Sequence, residues 1–141
     1  MWICVGLRAA YAISVVAFTI AAARRWLRVV AIEGASMQPT YRDGDRVLAV
    51  YGGEWLRVRP GDVVVARAPR PNWAPEQGFD DAYVTVVKRV KAVGGAPRPD
   101  PSRAVPAGAV FIEGDAPGGY DSTVFGPLPR SQVLGRVLLR L

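Results

Sequence analysis

Beyond residue 33 this chain is cut by turn signals too closely spaced to leave room for long helices. Gly44, Gly52-Gly53, Pro60-Gly61 and Gly94-Gly95 fall in that region, and all 12 prolines lie from Pro39 onward. Such residues set turn geometries or remove a backbone donor, so they end regular elements rather than continue them. The runs between them, residues 27–33, 46–51, 62–66, 83–91, 109–112 and 133–141, are short and rich in valine, leucine and isoleucine. Strands of a mostly β domain are the expectation. Residues 67–82 carry Pro69, Pro71 and Pro75 with no helical or strand period, and read as a long exposed loop containing Trp73 and Phe79. Those aromatics either pack back on the sheet or form a lip that touches lipid or substrate. Residues 96–106 form a second proline-rich connection, and no internal repeat is visible.

The N-terminus differs in kind. Residues 1–23 are apolar apart from Arg8 and a few small polar side chains, and the run stops at Arg24-Arg25. Its uninterrupted part, residues 9–23, would make roughly 22 Å of helix against a hydrocarbon core of about 30 Å. Including residues 1–7, with Arg8 reaching the headgroups, restores the length of a single transmembrane helix. The alternative is a cleavable signal peptide ending at Ala21-Ala22-Ala23. The expected organisation is an anchor over residues 1–26 and one domain over residues 27–141. A net charge of +6, spread over scattered arginines, forms no dense stripe that would recognise nucleic acid, and suits an anionic membrane surface better. Cys4 is the only cysteine, so no intrachain disulfide can form.

The chain contains no histidine, which excludes every histidine-based nucleophile activation. With no histidine and one cysteine, a zinc site is unsupported, and no cofactor is implied. Ser36, in Gly34-Ala35-Ser36-Met37-Gln38-Pro39-Thr40, is a candidate nucleophile only if another base exists. The only lysines are Lys88 and Lys91. Period-two reading puts Val84, Val86, Lys88 and Val90 on one strand face, so Lys88 is the charged side chain on the apolar face. Desolvation there lowers a lysine pKa and leaves a neutral amine able to take a proton. The bland alternatives are a serine serving a turn and a strand-edge lysine reaching for water.

Residues 34–40 resemble the nucleophile box of type I signal peptidases, Ser-Met-x-Pro-Thr, and Val87-Lys88-Arg89-Val90 resembles their lysine box. Arg59-Pro60-Gly61-Asp62-Val63 lies between the two as in that family, and Gly114-Asp115, Asp121-Ser122 and Phe125-Gly126-Pro127 follow in family order. The resemblance implies a membrane-tethered endopeptidase with a signal-peptidase-like β-fold. Ser36 would be the nucleophile, Lys88 the general base, and the Ser36 amide part of an oxyanion hole within the Gly34, Ser36 and Met37 turn. It implies precursor polypeptides as substrates, cut after small residues, and a catalytic domain outside the cytoplasm of a single-pass cell-membrane protein. The positive-inside rule points the other way, because Arg24, Arg25 and Arg28 follow the apolar segment and only Arg8 precedes it.

The last box departs from the family pattern. Gly114-Asp115-Ala116 replaces Gly-Asp-Asn, Gly119 stands at the offset of a lysine-orienting serine, and Asp121-Ser122-Thr123 replaces Asp-Ser-Arg. The lysine box runs into Gly94-Gly95-Ala96-Pro97 rather than Pro-Gly-Asp. Ser122 or Thr123 is expected to supply a substitute hydroxyl, and Asp115 and Asp121 to fix the loop through backbone bonds and arginine pairing. This form also resembles small maturation peptidases with a single precursor, such as the nickel superoxide dismutase maturation type. An inactive membrane-tethered binding relative is the non-enzymatic alternative. Oligomeric state has no signature in the sequence.

Overall fold

A computed structural model of the chain describes residues 2–73, 82–95 and 104–141. Helix α1 (Trp2–Trp26) runs directly into strand β1 (Leu27–Ala31). Among the described residues no helix is long and apolar enough to cross a membrane.

The remainder is mostly β, as the turn spacing implies. Strands β2 (Arg46–Tyr51), β3 (Val63–Pro69), β4 (Tyr83–Val93), β5 (Ala109–Glu113), β6 (Leu128–Pro129) and β7 (Val133–Arg140) join β1 in one sheet, with a short helix α2 (Ser122–Phe125) before β6. The spatial order is β1-β2-β7-β3-β4-β5-β6, and every pairing is antiparallel. The chain's last strand is thus inserted between β2 and β3.

β3 extends to Pro69, so the loop expected from residue 67 begins three residues later. Arg67, Ala68 and Pro69 pair with Thr85, Val84 and Tyr83. A proline is tolerated at the end of a strand, where its missing N–H costs the ladder little. Phe79 lies outside the described residues. The two-residue β6 offers no period to read, and only its pairing with Ala109 and Val110 makes it a strand.

The main core cluster is built from one face of these strands. Val64, Ala66, Val90, Val110, Ile112 and Leu128 are buried together with Val133, and Leu56 and Val58 from the β2–β3 connection close over them. Fully burying a side chain of this kind contributes about 1.5–3 kcal/mol. Along β4, Val86 and Val90 pack on this cluster and Lys88, between them in the alternation, is buried; the register shift after Val90 carries Ala92 into a second cluster with Val105 and Phe111.

The edges of β4 matter most for the site. On one side β3 pairs with it from Tyr83 to Arg89. On the other, β5 reaches only Arg89 to Val93, with a register shift between Val90 and Ala92. Among the described residues, 83–88 therefore have one paired flank and one open flank. Lys88 stands where the open flank begins.

Candidate active site

Ser36 lies in the turn that follows β1. Ile32 donates to the Asp45 carbonyl at 2.8 Å and Gly44 donates to the Ile32 carbonyl at 2.9 Å, so the loop is closed at its base. Gly34 donates to Asp43 Oδ1 at 2.8 Å and has φ +81°, a left-handed conformation that glycine adopts without a Cβ penalty. Gln38 donates to the Ala35 carbonyl and Tyr41 to the Met37 carbonyl, which curls residues 35–41 into successive turns. Met37 is buried and pins the turn, while Ser36 stays partly exposed.

The last loop holds this turn from the other side. Ala116 donates to the Ser36 carbonyl at 3.0 Å. A methyl built on Gly114 would lie 2.5 Å from that carbonyl oxygen and 3.4 Å from Lys88 Nζ. A methyl on Gly119 would stand 3.4 Å from Lys88 Nζ, 3.5 Å from Ser36 Cβ and 3.9 Å from Asp121 Oδ2. Ser36, Lys88 and Asp121 thus converge on the point where a Gly119 side chain would stand.

Lys88 is 3% exposed, which separates it from a lysine that reaches water. Burial pushes its pKa below that of an ordinary lysine, and the Asp121 carboxylate opposes part of that shift. Asp121 is itself held rigidly. Its Oδ2 accepts from the Gly114 amide at 3.0 Å, and its Oδ1 accepts from the Thr123 amide at 3.1 Å and Thr123 Oγ1 at 2.6 Å. The Thr123 hydroxyl therefore donates its hydrogen bond to Asp121, and Ser122 Oγ accepts from the buried Ile112 amide at 3.0 Å. The Asp121 carboxylate is a group of this loop whose charge acts on the amine. Asp121→Asn is expected to shift the rising limb of any Lys88-dependent activity to lower pH, because removing a negative charge favours the neutral amine. A limb that stays in place in a rate-against-pH profile would show that Asp121 does not act on Lys88.

Asp115 takes its arginine from β4. Arg89 Nε and Nη2 each donate to its carboxylate at 2.7 Å, and Thr40 Oγ1 donates at 2.6 Å. Arg89 also reaches the Gly61 carbonyl at 2.8 Å. The pair holds the Asp115 carboxyl below the usual carboxylate range and ties the nucleophile turn, β4 and the last loop together. Arg89 was legible only as the neighbour of Lys88, and Gly114 only as part of Gly114-Asp115.

A cleft opens between residues 30–37 and residues 83–88, and Trp73 and Tyr120 form its far wall. Trp73 is 76% exposed and meets Tyr120 edge-on, with ring centroids 6.1 Å apart. It therefore lies between the two expected roles, packed on a neighbour and open to whatever enters. Among the described residues no group of three or more His, Cys, Asp or Glu side chains is placed to hold a metal ion.

The chain is similar to known proteins over most of its length. A family model described as signal peptidase, peptidase S26, matches residues 5–97, a span that contains Ser36 and Lys88 and ends before Gly114. Mitochondrial inner membrane protease subunit 1 of Xenopus tropicalis is 32% identical over 123 residues, covering 80% of this chain and 68% of that protein. Mitochondrial ATP-independent inner membrane protease subunit 1b of Arabidopsis thaliana is 36% identical over 118 residues, covering 77% of this chain and 66% of that protein. With the family model spanning more than half of its residues, the chain belongs to the signal peptidase family, peptidase S26.

Proposed function

We propose that this chain is a membrane-anchored serine endopeptidase that removes N-terminal segments from exported precursors, using Ser36 as nucleophile and Lys88 as general base. The observation that carries the reading is a lysine buried to 3% exposure whose amine and a partly exposed serine flank the same point beside Gly119, both lining an open cleft. A stability role gives no reason to bury a cation there, since an apolar residue would pack at lower cost.

In the proposed reaction the neutral Lys88 amine takes the Ser36 hydroxyl proton as Oγ attacks the scissile carbonyl. The proton passes to the departing amine, an ester to Ser36 remains, and water hydrolyses it with Lys88 again as base. The Ser36 amide is the proposed oxyanion donor, a type of contact worth about 3–4 kcal/mol of barrier. Substrate would lie extended along the open flank of residues 83–88, adding as a strand. Residues 1–26 would serve as anchor and residues 27–141 as catalytic domain, on the outer side of the membrane.

The protein in detergent is expected to cleave a secretory precursor bearing an Ala-x-Ala site, and Ser36→Ala to reduce the rate to background. Equal rates for the two would sink the assignment. The loop departures at Gly119 and Thr123 favour a second reading, a maturation peptidase for one dedicated precursor. Cleavage of such a precursor and not of the generic one would select it.

A further inference from the structure

The surface beside the foot of α1 is a second feature that the peptidase chemistry does not use. Leu27 pairs with Val50, and the Arg28 guanidinium lies over the Tyr51 ring at 4.8 Å. The chain then turns at Gly52, and Trp55 donates its amide to the Gly52 carbonyl at 3.1 Å. Trp55 thus sits one turn beyond the end of β2, the strand end that pairs with the first residues after α1, and it is 91% exposed. Trp26, the last residue of the helix, is 48% exposed.

From Trp55 a shallow groove runs along Arg57, Val58, Arg59 and Arg130. Among the described residues the ion pairs of the domain use Arg89, Arg136 and Arg140, and no carboxylate pairs with Arg57, Arg59 or Arg130. Arg130 donates from Nη2 to the Leu56 carbonyl at 2.8 Å, while its buried Nε has no partner. Three cationic side chains, one with an unused donor, thus share a groove with an indole held out into solvent. Tryptophan favours the boundary between headgroups and acyl chains, and arginine in fork geometry favours phosphodiester oxygens.

We infer that Trp55, Arg57, Arg59 and Arg130 form a docking site for the headgroups of anionic phospholipids, which seats the domain on the bilayer beside the α1 foot. The inference rests on the membrane-anchored reading but not on the peptidase chemistry. The charge complementarity selects the occupant, since an apolar protein partner would leave the guanidinium groups unpaired.

The test uses the full chain carrying Ser36→Ala, reconstituted into vesicles of phosphatidylcholine alone or with phosphatidylglycerol in equal parts. Headgroup-spin-labelled lipid quenches nearby indoles, and the Trp55 share is the difference from a Trp55→Phe variant. Quenching of Trp55 is expected to be at least about twofold greater in the anionic vesicles, and the Arg57→Gln/Arg59→Gln double variant to lose that gain. Among the described residues neither guanidinium makes a hydrogen bond or ion pair, so the double variant should retain the wild-type melting temperature. Equal quenching in both vesicles, or a double variant that behaves as the parent, would overturn the site. Flotation with the vesicles reports the anchor separately, and a chain that floats with neither vesicle would overturn both the anchor and the site. Loss of precursor cleavage in a separate assay would bear on Ser36 and Lys88 alone.

Discussion

Lys88→Met is expected to abolish cleavage and to make the fold more stable at neutral pH. The loss of a positioned general base should lower kcat by about 10²–10⁴-fold, and methionine cannot replace it at any pH. The stability change follows from the burial that equips Lys88 as a base. Its folded pKa lies below its unfolded value because the desolvated site disfavours the charged form. Between those two values the unfolded chain binds more protons than the folded one, so stability rises with pH across that interval. Below it, the folded state carries the full cost of the buried amine. A methionine of similar length removes that cost, on the order of 1 kcal/mol, or about 3 °C in melting temperature. Thermal melts of both proteins at several pH values check this: the wild-type midpoint should climb in the alkaline range and the variant's should not. A variant that is inactive and less stable would mean Lys88 contributes to the fold, and the general-base assignment would lose its physical basis.

The same burial explains how much of the site could be read without coordinates. Period-two alternation was enough to put Lys88 on the inward face of β4, because a strand has only two faces and Val86 and Val90, on either side of Lys88, pack on the main core cluster. Alternation carries no information about strand neighbours, so the open flank of residues 83–88 was invisible. That flank exists because β5 stops at Arg89 and β7, from the end of the chain, lies between β2 and β3. An arginine partner for Asp115 was expected, but which arginine was hidden. The carboxylate of Asp115 is 26 positions from the guanidinium of Arg89, and a threonine at position 123 had removed the partner a local pattern would suggest. The two glycines of the last loop were visible as letters only. What they leave room for becomes apparent once Ser36 and Lys88 are beside them.

Gly114 is where that hidden spacing should have its largest effect. Its φ is not in the left-handed region, so the objection to a side chain there is steric alone. An alanine Cβ would sit 2.5 Å from the Ser36 carbonyl oxygen, a backbone atom that the Ala116 amide already holds at 3.0 Å. No rotamer can relieve the contact. Either the last loop withdraws and loosens the grip of Gly114 on Asp121 Oδ2, or the turn carrying Ser36 shifts. A shift of about 1 Å at a reacting group costs on the order of 10²-fold in rate. Gly114→Ala should therefore lower kcat/KM by about that factor, with overpacking costing about 1–3 kcal/mol of stability. Gly119→Ala supplies the contrast, since its Cβ meets Lys88 Nζ at 3.4 Å and Ser36 Cβ at 3.5 Å, ordinary contacts at which the fold should survive. Comparing kcat/KM and melting temperature for the two variants separates strain on the nucleophile's backbone from simple crowding of the cleft. If Gly114→Ala retained kcat/KM within a few-fold of wild type, the close approach of Gly114 to the Ser36 carbonyl would not be what positions Ser36. The positioning would then fall to Arg89, Asp115 and Thr40, whose bonds reach the same turn from the side of β4.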